Sequence, residues 1–268
     1  MFIGHIPHLI KVGLREVVLV HVVNIGDAGS LAVKFQEYDH LALEAQRQQL
    51  EQQGLQVTVK IPMGFPSYEI NQIAEDEQVS LIMIGSHGSS VLKKVVLGRN
   101  SEQIIRDARK PVLIVKLTME EGSGCNLFCE NLFQSILYPT DFSDDAEKVF
   151  PYLKQSVDAG CEKIVLLHVQ EEQRIKPHLE SRLEEFNQID QDRLDRMKRE
   201  LEALGAQNVK TIIRMGKTIP TILTVAEEEQ SCLVALGARG RSLLGEIFIG
   251  STANNVARYA KCPVLFVT

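Results

Sequence analysis

Cys232-Leu233-Val234-Ala235-Leu236 runs into Gly237-Ala238-Arg239-Gly240, and nine residues later the chain reads Gly250-Ser251-Thr252. A short apolar run that stops at glycine predicts a strand buried on both faces. Ser251 to Tyr259 predicts a helix, and Val264 to Val267 a further strand behind Cys262-Pro263. Strand, glycine turn, helix and strand in that order are the unit of a parallel α/β sheet with right-handed crossovers. Such sheets take ligands outside the carboxyl ends of their strands. Glycine at a strand end lets backbone amides approach an anion with no Cβ in the way. Gly250-Ser251 stands where the helix starts, so free N–H groups and a hydroxyl face the same place. Two separated glycine turns brought together by a sheet can cradle phosphates. Neither GxxxxGK[ST] nor GxGxxG occurs in the chain, so the Walker and dinucleotide readings have no support. Taken alone, the glycines are equally consistent with plain turn-making after a buried strand.

The same frame recurs upstream. A shift of 152 residues lays Met63-Gly64 on Met215-Gly216, Gly85 on Gly237, Gly88 on Gly240 and Gly98 on Gly250. From 63–115 against 215–267, 19 of 53 positions are identical without a gap. Leu19-Val20-His21-Val22 continues the match against Leu166-Leu167-His168-Val169. A period this long is a duplicated domain and not a solenoid. The expected organisation is a first repeat over 1–118, a linker over 119–133 and a second repeat over 134–268. The linker reading rests on Glu120-Glu121-Gly122-Ser123-Gly124, with Cys125–Cys129 left as linker or short helix.

The rest of the second half fits the same unit. Ile136–Tyr138 reads as a strand stopped by Pro139, and Thr140–Asp145 as a loop with helix-capping residues. A helix is expected from about Ala146 to Ala159, closed by Gly160. Ile164–Val169 reads as a buried strand, His178 to Leu204 as a charged helix, Val209–Arg214 as a strand and Ile219–Gln230 as a helix.

Composition bounds the function. With 29 Lys+Arg against 35 Asp+Glu the net charge is −6 and the pI near 5.7. Without a basic block the chain lacks the cationic footprint of a nucleic-acid binder. No run approaches 18 uninterrupted apolar residues, so no transmembrane helix is expected, and Met1 to Leu9 reads as no secretion signal. Five cysteines, sparse and odd in number, suit a reducing cytoplasm better than a disulfide framework. Cys125-x3-Cys129 is poor zinc spacing and reads as two incidental thiols, so no structural metal is expected. Cys232 and Cys262 read as buried thiols beside strands. His21 and His168, late in apolar strands, read as structural histidines. His87 inside the first glycine turn and Arg239 and Arg241 beside the second are candidate phosphate contacts. The mixed charges between Glu180 and Glu202, Asp190 among them, read as a solvated helix face.

In order and spacing, Pro139-Thr140-Asp141, Leu167-His168-Val169, Met215-Gly216, Gly237-x2-Gly240-x9-Gly250-Ser251 and Cys262–Val267 resemble the universal stress protein family. The resemblance covers essentially the whole chain as two copies. It implies two tandem Rossmann-like domains of the adenine nucleotide α-hydrolase type, each a five-stranded parallel sheet of order 3-2-1-4-5 with helices on both faces. It also implies adenine-nucleotide binding (ATP, ADP or AMP, with or without Mg) in the second repeat. Pro139, Thr140 and Asp141 would lie by the adenosine, and Val169 would meet adenine through its backbone. Met215 and Gly216 would border adenine and ribose. Gly237, Arg239, Gly240, Gly250, Ser251 and Thr252 would hold ribose and phosphates. A degenerate second site would use Val22, Met63, Gly64, Gly85, His87, Gly88, Gly98, Asn100 and Ser101, with Arg99 standing where the family has Ser or Thr.

The resemblance implies no catalytic residue. It points to a stress-response or regulatory binding protein, with slow ATP hydrolysis or phosphotransfer, or a nucleotide-independent interaction module, as the alternatives. The last strands, Val112–Val115 and Val264–Val267, would pair the repeats as an intramolecular pseudo-dimer, with a homodimer as a further expectation. One departure stands at the start. Before Gly13 there is no apolar strand and no Pro-Thr-Asp, so the central strand of the first repeat is missing. Either part of that repeat lies outside this sequence, or another segment takes its place, since two unpaired ladders are costly.

Overall fold

The computed structural model describes residues 3–24, 32–86, 97–120, 124–127, 129, 131–171, 182–238 and 250–268. The first half opens with helix α1 (Ile6–Lys11), then β1 (Glu16–Val20), β2 (Val23–Asn24), α2 (Ala32–Glu51), β3 (Gln56–Lys60) and β4 (Met63–Gly64). It continues with α3 (Pro66–Asp76), β5 (Ile82–Gly85), α4 (Arg99–Asp107) and β6 (Val112–Val115). An antiparallel strand pair, β7 (Leu117–Glu120) and β8 (Gly124–Leu127), follows largely within the stretch read as linker, where Cys125–Cys129 was expected to be linker or short helix. The second half runs β9 (Ser135–Pro139), α5 (Asp144–Glu147), α6 (Phe150–Asp158), β10 (Lys163–Gln170), α7 (Leu183–Ala203) and β11 (Val209–Met215). It ends with α8 (Thr218–Glu228), β12 (Leu233–Gly237), α9 (Ser251–Tyr259) and β13 (Val264–Val267).

The five strands of the second half are parallel and lie in the order β11-β10-β9-β12-β13, which is 3-2-1-4-5 by sequence. Leu137, Val165, Val234, Val264 and Phe266 point to one face, against Ile222 and Val225 of α8 and Val256 of α9. Ile136, Tyr138, Leu166 and Leu265 point to the other, against Leu153 of α6 and Leu194 and Leu201 of α7. This alternation is the two-residue period of a strand with both faces covered. The single helix expected over 146–159 is two helices. Pro151 has no N–H to give to the Glu147 carbonyl, so it stands at the start of a new helix.

The repeats meet strand to strand. β13 pairs with β6 antiparallel, in the register Val264↔Ile114, Leu265↔Leu113 and Phe266↔Val112, and β5 extends the sheet to seven strands. One apolar cluster crosses the seam, joining Ile82, Ile84, Val112 and Ile114 to Val264 and Phe266. Lys116 adds a buried contact, its Nζ donating to the Ala257 carbonyl at 2.6 Å, near the last turn of α9. Arg258 reaches Glu102 of the other repeat at 3.0 Å.

The first repeat does not form the one continuous sheet expected of its family. β1 and β3 pair with each other, β2 pairs with β4, and no strand among the described residues joins β1 to β5. In the second repeat that position is held by β9. Ile6 and Leu9 of α1 enter the same core as Leu50, Leu113 and Val115, beside Val17, Leu19 and Met83. α1 therefore corresponds to the helix that ends at Gly160. Gly13 (φ +101°) and Gly160 (φ +86°) both take the left-handed turn that favours glycine after a helix.

Burial holds the Lys116 ammonium at a pKa of about 8, down from 10.5, against a smaller opposing pull from Cys262. The folded chain then releases this proton while the unfolded chain still holds it. Stability relative to Lys116→Met should rise as pH climbs from about 8 to 10.5 and be flat below that window, by a total of about 3 kcal/mol. Urea unfolding of both proteins across that range checks it. A constant difference would contradict a buried ammonium at the seam.

Candidate functional site

Parallel pairing brings the carboxyl ends of β9, β10, β11 and β12 to one edge. Beyond β9, the Thr140 N–H donates to the Leu167 carbonyl at 2.8 Å, fixing the loop on the neighbouring strand. Thr140 is buried, and its Oγ1 accepts from the Phe142 N–H at 3.0 Å. Asp141 Oδ1 accepts from the Ser143 N–H at 3.1 Å and from the Ser143 hydroxyl at 2.6 Å. Ser143 in turn caps α5, accepting from the Ala146 N–H at 3.3 Å.

Phe142 sits at φ +58°, a conformation that bulky residues avoid. Its ring lies 4.6 Å from His168, and the Arg193 guanidinium stands 5.1 Å from the ring centre. His168 Nδ1 is 2.8 Å from the Thr140 carbonyl, which can only accept, so this nitrogen carries the hydrogen. Its Nε2 faces Asp190 Oδ2 at 3.4 Å, and Gln170 Nε2 donates to the same oxygen at 3.0 Å. Asp190 thus stands beside the histidine that clamps the loop. Sequence spacing gave no sign of this, because Asp190 is one of many charges on a mixed helix.

Val169 lies near the end of β10, half-buried, paired with Arg214. The Gly216 N–H donates to the Gln170 carbonyl at 3.0 Å, which sets Met215, well exposed, beside the β10 terminus. Gly237 has a role that the sequence reading did not give it. A Cβ there would lie 2.5 Å from the Asp145 carbonyl oxygen and 3.0 Å from the Ala146 nitrogen. Its bare Cα is what lets α5 lie against the end of β12, where the Tyr138 hydroxyl also donates to the Ala146 carbonyl at 2.8 Å.

The Ala238 N–H donates to Val267 and the Gly250 N–H donates to the Ala238 carbonyl at 2.7 Å. That bond turns the chain into α9 with Gly250 as its N-cap residue, and no side chain among the described residues caps the helix. The first-turn amides of Ser251, Thr252 and Ala253 are therefore available to an anion at the same edge. Ser251 is exposed and Thr252 half-buried. Arg239, Gly240 and Arg241 lie outside the described residues, as do His87 and Gly88.

The first repeat copies part of this frame. The Gly98 N–H donates to the Ser86 carbonyl at 2.8 Å, the equivalent of Gly250 to Ala238, and Gly98 is the uncapped start of α4. The Ser101 hydroxyl donates to the Gly85 carbonyl at 2.8 Å, whereas Asn100 is exposed. Val22 precedes β2, and β4 holds the exposed Met63 and the buried Gly64, whose bare Cα faces the flexible Glu69 side chain. Because β6 runs antiparallel to β13, this frame opens at the opposite edge of the sheet from Gly250. No group of His, Cys, Asp and Glu among the described residues is arranged to hold a metal ion.

A model of the universal stress protein family matches residues 12–116 and 132–268. The chain belongs to that family. Its two copies make it a tandem member. Universal stress protein MJ0577 of Methanocaldococcus jannaschii is 33% identical over 155 residues, which cover 51% of this chain and 95% of that protein. A Thermus aquaticus universal stress protein is 29% identical over 138 residues, 51% of this chain and 99% of its own length. The crystal structure of a universal stress protein from Archaeoglobus fulgidus matches the chain throughout. It covers 99% of this chain and 90% of that one, with a TM-score of 0.75 at 26% identity. No helix among the described residues of this universal stress protein is long and apolar enough to cross a membrane.

Two expectations need correction. Cys129 is not an incidental thiol and Cys232 is not a buried free thiol: the two are disulfide-bonded, with Cα atoms 5.6 Å apart across 103 residues of sequence. Of the remaining cysteines, Cys161 and Cys262 are free, and burial raises both thiols to about 11. His168, in contrast, is structural in the sense expected of it, but its work is to hold the site loop.

Proposed function

We propose that the second repeat binds an adenine nucleotide and that the protein is a cytoplasmic regulator whose output is conformational. The observation that carries this reading is the uncapped N-terminus of α9, set by the Gly250–Ala238 bond at the shared edge of four strand ends. There the first-turn amides, with Ser251 and Thr252, would take the phosphates. Asp141, held by Ser143, would meet the adenosine. Val169, Met215 and Gly216 would border adenine and ribose. A ligand that binds one state of this loop-and-helix edge better than another shifts the population between them.

Denaturing the freshly purified protein and identifying any released nucleotide tests the proposal. About one equivalent per chain is expected, with ATP, ADP or AMP binding again on titration calorimetry. Two equivalents would bring the Gly98 frame into use. No released nucleotide and no heat with any of the three would overturn the reading. The β6–β13 seam already occupies both last strands, so light scattering should report a particle near 30.0 kDa unless another surface pairs two chains.

A further inference from the structure

The disulfide stands at the edge of the sheet opposite the proposed nucleotide site. Cys232 is buried immediately before β12, and its N–H donates to the Ser135 carbonyl at 2.8 Å. Cys129 comes from the connector between the repeats. It lines a cavity of about 350 Å³ together with Leu223, Ala226, Ser231, Ala260 and Cys262, whereas Cys232 does not line it. Glu227 and Lys261 form an ion pair at 3.0 Å beside the cavity, and both are well exposed. The Ser231 side chain is fully buried, and its Oγ has no hydrogen-bond partner among the described residues. The cavity therefore offers apolar lining residues, a pair of charges and one of the two cysteines of a disulfide.

We propose that Cys129 is an exchange site for a low-molecular-weight thiol that docks in this cavity. The thiolate attacks Cys129 Sγ, a new sulfur–sulfur bond forms, and the Cys129–Cys232 bond breaks. The bonding pair leaves on Cys232 Sγ, which takes a proton from water. One disulfide is exchanged for another, and the protein gains the whole thiol, hydrogen included. Cys262 lines the same cavity, but burial keeps its thiol protonated at neutral pH, so the attacking thiolate comes from solution. Exchange unpins the connector from the base of β12.

The test uses the full chain, purified without reductant, with a stoichiometric amount of glutathione as the probe. At intervals N-ethylmaleimide quenches the reaction, and intact mass and peptide mapping follow. The expected product carries one glutathionyl group in disulfide linkage on Cys129 and one maleimide on Cys232. Glutathione on Cys232, a disulfide left untouched, reduction with no mixed disulfide at any time, or Cys129 and Cys232 both alkylated before any thiol is added would each overturn the proposal. Docking is tested with Leu223→Trp, which narrows the cavity. It should slow glutathione by about a hundredfold, the order expected for a misplacement of about 1 Å, and leave the much smaller 2-mercaptoethanol unaffected. Equal effects on both thiols, or none on either, would overturn docking. The mapping on the unmodified chain decides the exchange step even if this variant fails to fold.

Discussion

Gly237→Val should destabilise the second repeat by about 4 kcal/mol, enough to consume a large part of the stability of an ordinary domain. The conflict is with backbone. The added Cβ alone would lie 2.5 Å from the Asp145 carbonyl oxygen and 2.8 Å from its carbon, before valine's two methyl groups are counted. No rotamer change relieves that, so α5 must move off the end of β12. Its departure strips the buried Tyr138 hydroxyl of the Ala146 carbonyl and uncouples Ser143 from its cap. Valine is otherwise favoured in strands, so local propensity predicts the opposite sign. Chemical denaturation decides between them. A variant within about 1 kcal/mol of the parent would show that α5 is not seated on Gly237.

Ser251→Asp should weaken nucleotide binding about 100-fold while leaving the fold intact. The residue is the exposed first position of α9, where the helix dipole welcomes a carboxylate and stabilises it by about 0.5 kcal/mol. That carboxylate would stand where the proposed site receives phosphate, and it would also compete for the same first-turn amides. A loss of about 100-fold in affinity for ATP, some 2.7 kcal/mol, is expected with no fall in melting temperature. Calorimetric titration beside a thermal melt separates the two effects. Unchanged affinity in a folded variant would remove α9 from the site.

The second repeat was readable from sequence because its signals are local. β13 lies where the apolar run Val264–Val267 places it, and β9 to β12 begin or end within a residue or so of their runs. That no described strand joins β1 to β5 follows the same local signal, since Gly13 ends α1. Two things were not legible because they depend on distant partners. Cys129 and Cys232 are separated by 103 residues, so neither carries a signal of the other. Asp190 becomes part of the loop clamp only once α7 packs over β10 and presents it to His168 and Gln170. Gly237 was legible as glycine but not for its cause. A turn glycine and a glycine that admits a neighbouring helix look alike until the neighbour is in place.

The antiparallel β6–β13 seam has a thermodynamic corollary. Two separate chains joined through such an edge come apart on dilution, and their stability depends on concentration. Here both partners sit on one polypeptide, so each faces the other at a fixed local concentration set by the connector. Pairing is a first-order event, and the midpoint of unfolding should be the same in a cell holding a few copies as in a concentrated solution.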